Sequence, residues 1–147
     1  MLTQSLVRRF AVAISAFLVT AVAVAQLAPP PTEDQLKAAG ATQIKGDDLA
    51  QMLRNQTLEH TNLQSGQAIF IFYREDGRRF VGLGSSVRET KWWIKDDMRC
   101  EDSVAGRSSV CQKIYRHGDT LRICTAGEAQ CQWLVEATPG DVRKLAQ

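Results

Sequence analysis

Histidine, cysteine and tryptophan are scarce in this chain of 147 residues, with two, four and three copies. No Cys-x2-4-Cys pair occurs, which excludes the usual zinc framework and a thioredoxin-like Cys-x-x-Cys catalyst. Neither a Gly-x-Ser-x-Gly elbow nor a His-Glu-x-x-His helix is present, so the familiar serine-hydrolase and metalloprotease signatures are missing. No internal repeat points to a solenoid. Beyond the N-terminus no apolar run is long enough to cross a bilayer, which needs roughly 20 residues. These gaps lead to an expectation of no metal and no cofactor.

What is present begins with an export signal. Arg8 and Arg9 form a positive start, Phe10 to Ala25 is uncharged and apolar, and Ala23-Val24-Ala25 supplies the small residues of a cleavage site. Residues 1–25 therefore read as a signal peptide and Gln26 as the mature start. No cysteine lies near that site, which argues against a lipid anchor, and no membrane span is expected after cleavage. Removing Arg8 and Arg9 from 18 basic residues leaves 16 against 16 acidic ones, so the mature chain is formally neutral. That disfavours a nucleic-acid partner, since such binders gather a basic excess on one face.

The mature chain of about 120 residues suits one core. Residues 26–44 read as a proline-containing tether, Ala28 to Thr32, and a short helix over Glu33 to Ala39, capped by Thr32 and ended by Gly40. Residues 45–147 form the body. Its first element is a helix started by Asp47 or Asp48, with Leu49, Met52 and Leu53 on one face and Asn55 at its end. From Ala68 the period becomes that of strands. Ala68 to Arg74 runs through the Asp76-Gly77 turn into Arg79 to Leu83. Further strands are expected at Lys91 to Lys95, Ser109 to Arg116, Thr120 to Cys124 and Gln130 to Glu136. The fold class is α+β, mainly β: an antiparallel meander or small open barrel of about six strands with one or two N-terminal helices. Ile69, Ile71 and Tyr73 share one face of their strand and Phe70 and Phe72 the other, so both faces ask for cover.

Cys100, Cys111, Cys124 and Cys131 all fall in the last third of the chain. With an export signal they point to an oxidising compartment and two disulfide staples. Four cysteines allow three connectivities. The spacings favour Cys100–Cys111 and Cys124–Cys131 as cross-strand links over two hairpin loops.

Catalytic constellations are thin. His60 falls in a polar connection, and His117 in an Arg-His-Gly-Asp turn. Asp96-Asp97 and Glu101-Asp102 are adjacent acids that a strand would aim at opposite faces, a poor start for a two-carboxylate glycosidase, and Asp96-Asp97 is more economically a turn. Trp92 and Trp93 are the strongest binding signal. If Trp92 faces the core with Ile94, Trp93 points outward with Lys91 and Lys95, near Arg78 and Arg79. Such an aromatic among cations docks a sugar ring, a peptide or an apolar surface.

Leu49-x-x-Met52-Leu53-x-Asn55-x-Thr57, Tyr73-x-x-Asp76-Gly77-Arg78, Trp92-x-Ile94, Cys100, Cys111 and Gly118-Asp119 together resemble small exported, alpha-proteobacterial-like domain families of unassigned function. Those run Leu-x-x-Leu-Leu-x-Gly-Asn-Thr, a Tyr-Phe-x-x-Asp-Gly turn, Gly-x-Trp and spaced cysteines. The resemblance covers about residues 47–124 and departs where Asn55-Gln56-Thr57 replaces Gly-Asn-Thr and at Thr90, which stands where those families place glycine before the tryptophan. Cys124 and Cys131 look like an additional staple. The resemblance implies a periplasmic bacterial domain and carries no catalytic residue across.

The expected function is binding without catalysis by a periplasmic or secreted protein. Its partner would be a protein or envelope component, met through Trp93, Arg78, Arg79, Lys91 and Lys95. The alternatives are a small hydrolase using His117 with Asp119, which requires His117 on the wall of a pocket, and a homodimer through the two-sided strand of residues 68–74.

Overall fold

The computed structural model describes residues 29–106 and 108–147; the expected signal peptide, residues 1–25, lies outside the described residues. Two short helices, α1 (Glu33–Ala38) and α2 (Gly46–Leu53), flank a three-residue strand, β1 (Thr42–Ile44). Eight strands follow: β2 (Gln56–Asn62), β3 (Ala68–Tyr73), β4 (Arg78–Leu83), β5 (Ser86–Lys95), β6 (Met98–Asp102), β7 (Ser109–His117), β8 (Thr120–Thr125) and β9 (Trp133–Pro139). Each pairs antiparallel with the next, and β9 returns to β2 over Gln56↔Pro139 to Asn62↔Trp133. The result is a closed, eight-stranded up-and-down barrel. The ninth strand, β1, pairs with Ile114–Arg116 of β7, beyond the Ser109–Gln112 stretch taken by β6.

The expected mainly-β class and both helices hold, while the open six-stranded form gives way to a larger closed one. The strands not foreseen are β1, β2 and β6, and β5 begins five residues earlier than expected. The cause is chemical. The inward row of β2 includes His60 and that of β6 is Arg99 and Glu101, so neither strand shows apolar alternation.

Turn chemistry explains the tight connections. Asp96 and Asp97, at φ 51° and 57°, make the two-residue β5–β6 loop, the left-handed pair that such hairpins require and that aspartate tolerates. Gly77, at φ 82°, ends the β3–β4 turn where an added Cβ would meet the Trp92 carbonyl at 3.4 Å. Thr32 caps α1 as expected, and Gln35 completes a capping box: Thr32 Oγ1 accepts from Gln35 N and Gln35 Oε1 accepts from Thr32 N. For α2 the expected cap fails: neither Asp47 nor Asp48 precedes the helix, and Lys45 supplies no side-chain bond. Asp97 reaches across from the β5–β6 loop instead and accepts from Gly46 N at 3.1 Å.

The barrel interior is the main core. Leu58, Ile71, Tyr73, Val81, Trp92, Ile114, Ile123 and Val135 point inward, and Leu49 and Leu53 of α2 close the end formed by the start of β2 and the end of β5. Each of those two leucines, fully buried, contributes about 1.5–3 kcal/mol. Outside, α1 lies over β7 and β8, where Leu36, Ala41, Tyr115, Cys124 and Cys131 form a second cluster. The disulfides are Cys100–Cys111 and Cys124–Cys131, the pairing that the spacing favoured. The first joins directly opposed residues of β6 and β7. Pro30 is buried and the Pro31 carbonyl accepts from Cys131 N at 2.8 Å, so the described end of the expected tether lies on the body.

The second face of β3 is covered by the chain itself. Phe70, Phe72 and Phe80 pack with Leu145 and Ala146, and the Arg143 guanidinium sits 3.9 Å from the centre of the Phe70 ring. The two-sidedness that suggested a homodimer is thus met by the C-terminal segment, and β3 has a neighbour strand on each edge.

Candidate functional site

Strand alternation sorts the expected site residues. Trp92 faces the core, buried, with its indole N–H donating to the Arg74 carbonyl at 2.9 Å. Trp93 therefore points outward, as expected, and is half-buried opposite Cys100, between exposed Lys91 and Lys95. Arg78, paired in register with Lys91, shares this outer face. Its guanidinium is engaged by Asp76 at 2.9 Å and more loosely by Glu89 at 3.8 Å.

Arg79 is the correction. Its side chain is 5% exposed and points into the barrel, away from the Trp93 face. With Arg78 outward, period-2 geometry sends its neighbour inward. There Arg79 meets a polar network that the sequence reading did not identify. Glu101 stands between two guanidinium groups, Arg79 and Arg99, each at 3.3 Å. Arg99 Nη1 donates to the Tyr73 hydroxyl at 2.7 Å and lies 3.4 Å from His60 Nε2, while Nη2 donates to Gln112 Oε1. Gln112 passes the chain on to Thr125 Oγ1 at 3.0 Å. Arg79 Nη1 donates to Thr90 Oγ1 at 3.3 Å and to the Asp102 carbonyl at 3.0 Å.

Burial, with Arg99 and Arg79 nearby, pushes the His60 imidazole well below its ordinary range and keeps it neutral. Burial likewise raises the Tyr73 phenol, which stays protonated and donates to Glu101. The network therefore sets two guanidinium charges against one carboxylate. A signal for it did exist. If Cys100 is to meet Cys111 across the outer face, its neighbours Arg99 and Glu101 must turn inward.

His60, expected in a polar connection, is buried in β2. His117 sits exposed at the β7–β8 hairpin tip beside Gly118 and Asp119. The nearby surface depression is lined by Arg116, Gly118, Asp119, Leu121, Val135, Glu136 and Ala137, without His117. Glu101 points inward and Asp102 out, so these adjacent acids do not face one another. Among the described residues no three His, Cys, Asp or Glu side chains gather as a metal site, and no helix is long and apolar enough to cross a membrane.

One groove borders both the network and the Trp93 face. It encloses ≈ 680 Å³ between the first half of β5 and the β6–β7 connection, with Arg88, Thr90 and Lys91 on one wall and Ser103, Val104 and Ser109 on the other. Arg88 Nη1 donates to the Val104 carbonyl at 2.8 Å and so links the walls. Comparison with protein-family models, curated proteins and solved structures found no match to this chain.

Proposed function

We propose that the protein is an exported, non-catalytic interaction module of the bacterial envelope, periplasmic or secreted, that engages a protein or other envelope component through the outer face of β5. The carrying observation is that face itself: half-buried Trp93 between exposed Lys91 and Lys95, with Arg78 alongside. Tryptophan and arginine are the residues that most often dominate binding energy when a partner covers them. Two other outer sectors are already occupied, β7–β8 by α1 and β3–β4 by the C-terminal segment, and neither cover reaches Trp93. Two disulfides fit an oxidising compartment and hold the barrel rigid, which lowers the ordering cost of binding. An inhibitor of a lytic enzyme, or a stress- or virulence-associated factor, belongs to this class.

The test compares capture of envelope components by the wild-type chain with capture by Trp93→Ala and Lys95→Glu. Val142→Ser, on exposed Val142, serves as the surface control. The expected result is that the same species are lost with both β5 variants and kept with the control. Retention of every captured species by Trp93→Ala would remove this face as the site. Iodide quenching gives a direct check on accessibility: Trp93→Phe should remove a quenchable component that Trp92→Phe, at a buried indole, leaves in place.

A further inference from the structure

Strand β5 is ten residues long, but β6 pairs only with Trp92–Lys95. Over Ser86–Lys91, β5 has β4 on one side and, among the described residues, no paired strand on the other, where Arg88–Lys91 line the groove. The Leu83↔Ser86 pair closes the two-residue β4–β5 loop. In such a hairpin the backbone groups of Ser86, Arg88 and Thr90 turn toward β4, and those of Val87 and Glu89 turn away from it. The Trp92 amide follows the same alternation by donating to the Gly77 carbonyl. The strand edge beyond the reach of β6 is thus about 20 Å long, at roughly 3.3 Å per residue, and its Arg88–Lys91 part lines the groove.

Its charge is set from behind and from the walls. Arg79 donates to Thr90 and to the Asp102 carbonyl, both groove residues, so its guanidinium lies directly under the groove. Among the described residues its Nε has no hydrogen-bond partner, and it shares the single Glu101 carboxylate with Arg99. Arg88 and Lys91 add two cations on the wall. Of the two lining carboxylates, Glu89 is drawn toward Arg78, which leaves Asp102 as the opposing charge. Beside the groove, Val87 and Leu83 are exposed, at 48% and 40%, at the hairpin end.

From these observations we infer that the groove takes an extended, acidic segment of a partner polypeptide, added as a strand to β5 at Val87 and Glu89. This inference rests on the interaction role proposed above and names its partner class. Main-chain bonds supply the affinity, the Arg88 and Lys91 cations, backed by the buried Arg79, select acidic side chains, and exposed Val87 receives an apolar one.

The experiment uses the isotope-labelled full chain and the blocked peptide Thr-Glu-Val-Glu-Val-Glu-Thr, followed by anisotropy and by amide shifts. The acidic peptide should saturate, moving the amide signals of Val87 and Glu89. The same peptide with lysine in place of glutamate, or with alternate amides N-methylated, should bind about tenfold or more weakly, as should the acidic peptide to Arg88→Glu or Lys91→Glu. The inference is overturned by no binding at millimolar peptide, by equal binding of the N-methylated peptide, or by indifference to both charge reversals. A peptide-free dimer in sedimentation that buries the Val87 amide would give the edge to a second copy and also overturn it. The N-methylated comparison uses only the wild-type chain, so misfolding of a variant cannot decide the outcome. Loss of these signals with Trp93-dependent capture intact leaves the proposed face standing and removes only the groove.

Discussion

Replacing Glu101 by glutamine is the sharpest probe of the interior. The substitution keeps the side chain's size and removes the carboxylate that serves both Arg79 and Arg99, whose side chains are 5% and 1% exposed. Breaking a buried pair by removing one partner costs about 3–5 kcal/mol, because the surviving charge stays desolvated without compensation. Here two guanidinium groups are left, and glutamine has one acceptor oxygen where the carboxylate had two, one toward Arg79 and one toward Arg99 and Tyr73, so the upper part of that range is expected. Total stability for such a domain is on the order of 5–15 kcal/mol. Urea unfolding under non-reducing conditions should therefore show a midpoint lowered by a third or more, with the slope unchanged. The companion variant replaces the triad together, Arg79→Met, Glu101→Leu and Arg99→Met. It should be far less damaging than the single change, because desolvation is relieved along with attraction. A loss below about 1 kcal/mol for Glu101→Gln, the level of an exposed ion pair, would refute the claim that this carboxylate is the sole counter-charge of the network.

Other expectations follow from the outer shell. Glu33, bonded to Lys37, Tyr115 and Lys113, is lowered from 4.5 to about 2; its lowered value means that its contribution is complete above 4.5 and lost as pH falls from there toward 2. The protection of the Leu36 amide from exchange, relative to the unfolded chain at the same pH, should fall over that interval, and Glu33→Gln should flatten the dependence. Converting Cys124 and Cys131 to serine, or Cys100 and Cys111, should each cost about 2–3 kcal/mol by loop-closure entropy, for separations of 7 and 11 residues, read as lowered urea midpoints. Asp97→Ala should cost about 1–2 kcal/mol by removing the cap of α2, whereas Asp47→Ala and Asp48→Ala, tested in the same way, should cost less.

The chain disclosed its structure where its chemistry is local. The Thr32 cap, the Asp76-Gly77 turn, the Asp96-Asp97 loop and both cysteine pairs depend on neighbours in sequence or on spacing, and each is found as expected. What stayed hidden depends on partners distant in the chain. His60, Arg99 and Glu101 are interior because other strands bring them together, and as isolated letters they describe a surface. Ser86 to Thr90 has a single apolar residue, Val87, and so no apolar alternation, and the first half of β5 carried no strand signal either. Arg78 and Arg79 looked alike as a basic pair; only the register of β4 separates an outer cation from an inner one. For the binding face, the Trp92–Trp93 alternation was legible, but the groove beside it required knowing that β6 is half the length of β5.

The closure of the barrel also has a temporal consequence. Its seam joins β2 to β9, nearly the first and last strands, and Thr57 on β2 donates to the Gly140 carbonyl at 2.6 Å just past β9. Pairing across so long a stretch is slow, since the intervening chain must be gathered before the seam contributes anything. A polypeptide emerging in order cannot complete this core until β9 has been made. If it is exported as proposed, that delay keeps it threadable through a translocase that accepts only unfolded chains, and the two staples then form on the far side, where oxidation is available.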